Sequence, residues 1–150
     1  MNFILNIIPP KATHQSGSTI MKNRKTGQMF IGKKSSSAST AAKKLLRNAL
    51  WPFKPETPFE GPLVLEVLWV YPWRKSEKKK NKEQSLMACD TRPDCDNLNK
   101  TFADQLSDLG FWGDDGQVSD LIFRKRWGDR PRIEVSITKA NALKQGTLGL

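Results

Sequence analysis

The stretch PLVLEVLWVYPW, residues 62–73, constrains this chain more than any other. It is an almost unbroken apolar run rich in β-branched and aromatic residues, the pattern of a central strand. A sheet has to be built around it. NFILNII, near the start, reads as a first strand stopped by Pro9 and Pro10. Within the basic segment Lys11–Lys34, NRKTGQ leading into MFI reads as a hairpin turn. After the serine-rich cap SSSAST, Ala42, Leu45, Leu46, Ala49 and Leu50 follow the spacing of one helix face, and Pro52 and Pro55 close the helix.

A lysine-rich loop is expected from Arg74 to about Met87. A second helix is expected from about Asn97, with Leu98, Phe102, Leu106 and Leu109 on its packed side and Gly110 as its terminator. Asn97, Lys100, Asp104 and Asp108 fall on the opposite side. Residues 118–127 and 131–138 bracket the turn GDRP, and RIEVSIT alternates as a half-buried strand does. The order strand, hairpin, helix, strand, helix, strand, strand predicts an α+β fold, a mixed β-sheet backed by two main helices. At 150 residues the chain fits one domain, 1–150, with a ragged tail from about 140. No apolar run approaches the roughly 20 residues of a membrane helix, and the opening lacks the regions of a signal peptide. A cytoplasmic protein without a membrane partner is expected.

Charge is the most informative bulk property, because the net +10 is spread so unevenly. Residues 1–55 hold ten Lys or Arg and no Asp or Glu, and residues 74–82, RKSEKKKNK, add six bases against one acid. Residues 90–120 reverse the sign, with eight aspartates against only Arg92 and Lys100. Lysine runs alone serve solubility as readily as binding. A basic surface binds phosphates through counterion release, whereas an acidic patch inside it repels them unless a cation sits there. A metal reconciles the two.

The acids gather in RPDCDNLNK, residues 92–100, and again in WGDDGQV, residues 112–118. Asp94 and Asp96, two apart before a helix, can converge on one cation, although Asp96 is also well placed to cap that helix. A third ligand can come from Asp114 or Asp115, one of which the Gly-flanked turn can claim for structure. Hard oxygen ligands with a single histidine in the chain, His14, favour Mg²⁺, with Mn²⁺ as a substitute, over zinc. Lys100, one turn into the helix, is either a surface partner of Asp96 or a group that steadies a phosphate. Together these make a metal-assisted phosphodiesterase site. An EF-hand starting at Asp94 fails, since its sixth and twelfth positions are Asn99 and Gln105 instead of Gly and Glu. Cys89 and Cys95 lack further soft ligands and read as free, incidental thiols.

RPDCDNLNKTFADQLSDLGFWGDDGQVSDL, residues 92–121, closely resembles the signature of the RusA family of Holliday junction resolvases. The matching positions run from Arg92, Pro93, Asp94, Asp96, Asn97, Leu98 and Lys100 through Gly110, Phe111 and Trp112 to Asp114, Asp115, Gln117 and Asp120. NIIPPK and RIEVSIT resemble the family's opening and closing strands more weakly. The resemblance implies a small homodimeric Mg²⁺-dependent endodeoxyribonuclease, often of phage or prophage origin, that nicks four-way junction DNA symmetrically in recombination and repair. It implies Asp94, Asp96, Asp115 and Lys100 as catalytic residues, the three aspartates of each protomer holding the metal, and leaves Asp114 structural. Arg92, Lys11, Lys22, Arg24 and Lys25 are the expected nucleic-acid contacts. The alternatives are a branched-DNA-binding protein that does not cut, or a nuclease of the same chemistry acting on other branched DNA.

Overall fold

In the computed structural model, residues 1–12, 17–34 and 36–141 are described; His14 and nearly all of the expected tail lie outside them. The run that opens the argument becomes β4 (Leu63–Pro72), the third of five strands in a mixed sheet. β4 is antiparallel to β7 (Arg132–Lys139) on one side and parallel to β6 (Val118–Gly128) on the other. β1 (Asn2–Leu5) extends the sheet beyond β7, and the short β5 (Leu86–Ala88) extends it beyond β6. The hairpin expected in the basic segment is present as β2 (Gly17–Lys22) and β3 (Met29–Lys34), a separate two-stranded sheet.

Alternation along β4 decides where the core lies. Leu63, Leu65, Val67, Trp69 and Tyr71 point to one face and are buried there with Phe3, Leu5, Ile133, Val135 and Ile137. Two helices cover that face: α1 (Ser37–Leu50) through Ala42, Leu46 and Leu50, and α3 (Cys95–Asp108) through Leu98, Phe102 and Leu106. Each of the larger side chains contributes about 1.5–3 kcal/mol by leaving water. Trp69 meets Phe102 edge to face, with centroids 5.5 Å apart, which adds to the area term. The opposite face is open and carries Glu66, Leu68, Arg124 and Glu134 around a cavity of about 450 Å³.

Both helix ends follow from local chemistry. Ser36 caps α1 by accepting from the Ser39 amide at 3.1 Å. Gly110, at φ 78°, takes the left-handed conformation that stops α3, and Phe111 N then donates to Leu106 O at 3.0 Å.

Four local expectations are corrected. The first strand stops at Leu5, and Ile7 turns back to donate to Leu5 O at 2.9 Å. The loop from Arg74 to Met87 is partly ordered: Glu77 collects Arg74 at 2.9 Å and Asn81 at 2.5 Å, around the single turn α2 (Lys79–Lys82), and β5 follows. These bonds hold the Glu77 carboxyl below its usual value, the Asn81 amide more than Arg74. Leu45, placed on the packed stripe of α1, is 41% exposed. Finally, α3 begins at Cys95, so Asp94 and not Asp96 takes the N-cap position.

Candidate active site

The acid-bearing segment leaves β5 at the edge of the sheet, bends through Thr91, Arg92 and Pro93, and enters α3 at Asp94. Asp94 occupies the N-cap position, where a carboxylate ordinarily accepts from the first helical amides, yet its side chain makes no capping bond. Asp94 and Asp96, the latter in the first turn, are both exposed. Lys100 is exposed one turn further on, and the ion pairs found among the described residues join other side chains.

A cleft of about 350 Å³ opens beside this pair, lined by Lys11, Ala12, Ser36, Arg92, Pro93, Asp94 and Asn97. Three separate segments build it. The strap after β1 brings Lys11 and is pinned to the sheet by Tyr71, whose hydroxyl donates to Pro10 O at 3.0 Å. Burial is the main reason the Tyr71 phenol is pushed well above its usual range. The start of α1 brings Ser36, and the acid segment brings Arg92 and Asp94. Two cations and a carboxylate therefore share one wall-to-wall space, sized for a phosphate group and its neighbours.

Asp115 stands elsewhere. After α3 the chain turns through Gly110 to Trp112 and forms a short 3-10 turn, Asp115–Gln117. Asp114 caps that turn, accepting from Gly116 N at 2.7 Å, while the Gln117 side chain accepts from Asp114 N at 3.0 Å and donates to Phe59 O at 3.0 Å. Asp115 lies against the last turn of α3, where one oxygen accepts from the Ser107 hydroxyl and from Trp112 Nε1. Ser107 and Asp96 belong to the same unbroken helix, about 16 Å apart along its axis at 1.5 Å per residue. Ligands of one Mg²⁺ each lie about 2.1 Å from it. A single chain thus separates the Asp94–Asp96 pair from Asp115, and no group of three or more His, Cys, Asp or Glu poised for a metal is present among the described residues. The expectation that each protomer closes its own three-aspartate site does not match this geometry, because α3 stands between the two halves as a spacer.

Of the expected nucleic-acid contacts, Lys11 and Arg92 reach the cleft. Lys22, Arg24 and Lys25 ride on the hairpin, whose tip is shaped by Asn23 accepting from Lys25 N at 2.9 Å and by Gly27 at φ 73°. Ile20, Met29 and Ile31 on that hairpin are at least 66% exposed. The cysteines are free, with Cys95 exposed and Cys89 half-buried. Two contributors carry no mark in the sequence. Tyr71 sits inside an apolar strand where core packing explains it, and Lys125, which donates to Thr91 O and Pro93 O beside Arg92, is one base among several in β6. Asn97 was legible as a polar helix position but had no assigned place beside Asp94.

Exposed carboxylates beside a cationic cleft, on a basic α+β body, define the class: a small protein built to handle phosphodiesters. Comparison with known proteins narrows the class. The family described as Endodeoxyribonuclease RusA matches residues 8–138. A crossover junction endodeoxyribonuclease, rusA, of Lactococcus phage r1t is 29% identical over 132 residues, covering 87% of this chain and 90% of its own length. An uncharacterized protein of Bacillus subtilis (strain 168), YqaN, is 37% identical over 94 residues, 59% of this chain and 66% of its own length. The chain belongs to the RusA family of endodeoxyribonucleases.

Proposed function

We propose that this protein is a Mg²⁺-dependent endodeoxyribonuclease, with Mn²⁺ able to substitute, that resolves four-way DNA junctions by paired symmetric nicking in recombination and repair. A homodimer acting in the cytoplasm is part of that reading. The observation that carries it is Asp94, a helix N-cap residue whose carboxylate is withheld from capping and presented beside Lys11 and Arg92. The name of the phage relative and the family match support the substrate class.

The donor set suits a hard divalent ion. Asp94 and Asp96 offer exposed oxygens close in sequence, with no imidazole or thiolate ligand required. Such an ion, when bound, supplies Lewis acidity and lowers the pKa of a coordinated water. This chain's own groups do the remainder. Lys11 and Arg92 hold the phosphate against the carboxylates, and Lys100 offsets charge that builds up on the departing oxygen. The hairpin, with Lys22, Arg24 and Lys25, extends the backbone contacts that fix the DNA.

The distance between Asp115 and the Asp94–Asp96 pair supports a site shared between two copies of the chain. Asp115 of one copy would stand beside Asp94 and Asp96 of the other, and a twofold axis would produce two such sites. The direct test is a nicking assay on a labelled four-way junction and a matched duplex, with Mg²⁺ or EDTA. Asp94→Asn should remove nicking while junction binding survives. A junction that the wild type binds but never cuts, under any divalent ion, would leave a non-cleaving branched-DNA binder as the correct description.

A further inference from the structure

We propose that Lys125 is a positioning residue for the cleft: its ammonium fastens the acid-bearing segment to the sheet and so sets the direction of Asp94 and Arg92. The inference rests on the reading of Asp94 as a metal ligand. Lys125 is a buried charged residue, 8% exposed, whereas the other lysines whose burial is described are exposed or partly exposed. It lies on β6 between Phe123 and Trp127, on the side that faces the helices, where alternation calls for an apolar side chain.

A buried ammonium is costly unless its protons are met. Here Lys125 Nζ donates to Thr91 O and to Pro93 O, each at 2.7 Å. Those carbonyls bracket Arg92, and the second belongs to the residue directly before Asp94. The Lys125 backbone joins in, since its carbonyl accepts from Cys89 N at 3.2 Å. One residue therefore ties the segment to the sheet at three points.

Few other contacts hold this stretch: Pro93 is buried, and the Thr91 hydroxyl meets the Cys89 sulfur at 3.7 Å. Residues 90–93 belong to no helix or strand, and Pro93 has no amide proton to give. The next backbone anchor is Asp94 O, which accepts from Leu98 N at 3.1 Å and belongs to α3. Between the last residues of β5 and the first turn of α3, Lys125 supplies the hydrogen bonds that tie the backbone of the bend to the sheet. A neutral apolar residue could fill the same volume, but it would leave two carbonyls unmet and the bend free to shift. The consequence is functional because Asp94 and Arg92 both line the cleft. Displacing a ligand or a phosphate contact by about 1 Å is enough to cost about a hundredfold in rate.

The test compares wild type, Lys125→Met, Lys125→Gln and Lys125→Arg as full-length proteins. Three quantities are read: single-turnover nicking of a four-way junction as a function of Mg²⁺, junction affinity in EDTA, and Mn²⁺-induced broadening of the Asp94 and Asp96 amide resonances without DNA. Lys125→Met should bind the junction in EDTA within about threefold of wild type, nick about a hundredfold more slowly at saturating Mg²⁺, and need several-fold more Mn²⁺ for equal broadening. Lys125→Arg, which keeps the charge and the donors, should recover most of the loss. In an Asp94→Asn background, Lys125→Met should change the Mn²⁺ response no further. If Lys125→Met does not fold, Lys125→Gln carries the test and should fall between Met and wild type. Equal nicking and equal broadening in the folded neutral variant would overturn the proposal. Absence of broadening at Asp94 in the wild type would instead overturn the metal-site reading on which it rests.

Discussion

If the cutting site is shared between two copies, two dead variants should rescue each other. Asp94→Asn and Asp115→Asn each remove one carboxylate from every site when the protein is a uniform dimer, and each should lower nicking by at least about a hundredfold, the scale for losing a charged group aimed at a reacting phosphate. Now let the two variants be co-expressed with different tags. In a mixed dimer, one site pairs the altered Asp94 position with the altered Asp115 position and is doubly defective. The other pairs an intact Asp94 and Asp96 from one copy with an intact Asp115 from its partner. It is wild type in every ligand. Random assortment makes about half of the dimers mixed, and each mixed dimer owns one good site in two, so about a quarter of all sites recover.

The structural basis is the length of α3. Asp115 touches Ser107 near the end of that helix, and the Asp94–Asp96 pair stands at its beginning, about 16 Å away along the axis. A metal-bound pair of oxygens lies within about 4 Å, so no side-chain rotation closes the gap within one chain. The assay is nicking of a labelled junction by doubly tag-purified mixed dimer, with each uniform variant beside it. The mixed dimer should make a single nick per junction, because its second site is empty of function. Activity no higher than that of the uniform variants, with subunit mixing verified by mass, would refute a shared site. Full activity in uniform Asp115→Asn would refute any role for that residue.

Three further outcomes follow from the strap beside the cleft and from the turn after α3. The chain has a single tyrosine, so tyrosinate absorbance reports Tyr71 alone. Its raised pKa means that the hydroxyl stabilises the fold at all pH values below its ordinary value of 10.0, and that this contribution is lost as pH rises towards the folded-state pKa. Ionisation should therefore be seen only where the fold itself gives way, and a normal titration near pH 10 in folded protein would contradict the burial of this group. Tyr71→Phe should cost about 1 kcal/mol in urea unfolding and weaken junction binding through Lys11, whereas an unchanged affinity would disconnect the strap from DNA. Gly110→Ala forces a Cβ into a left-handed residue and should cost about 1 kcal/mol; a neutral result by thermal unfolding would mean the turn after α3 adapts freely.

The parts of this fold that the sequence announces are those with sustained periodicity. β4, α1, α3 and β7 each carry enough apolar repeats for one face to be identified, and the hairpin turn at Asn23–Gln28 carries its own turn residues. β5 escaped because three residues at a sheet edge contain no repeat, and α2 because its single turn depends on Glu77 gathering Arg74 and Asn81. Leu45 was misplaced because a strict helical stripe is wider than the strip α1 actually buries. Within the site, the carboxylates and Lys100 are visible as chemistry, but their separation is not. Spacing in sequence says that Asp96 and Asp115 flank a helix; only the direction of the chain after Gly110, and the bond from Ser107 to Asp115, shows that they end at opposite ends of it. Lys125 and Tyr71 were invisible for another reason: their roles lie in backbone carbonyls of distant segments, which leave no residue type to read.

The proposed reading also explains why a chain with a +10 net charge sets Asp94, Asp96 and Asp115 at the two ends of one helix. A complete carboxylate cluster in each monomer would hold a metal wherever the basic surface met DNA, and counterion release would bring that surface to any duplex. On that reading, placing Asp115 about 16 Å from the Asp94–Asp96 pair would leave the monomer able to bind but not to cut. Completing the site through a twofold partner makes competence conditional on assembly, and the same symmetry that completes one site completes the second. For a substrate whose productive outcome requires two matched nicks, a device that supplies zero sites or two is safer than one that supplies a single site per chain. In this proposal the helix that fills the core with Leu98, Phe102 and Leu106 is also the ruler that sets the separation of the two halves.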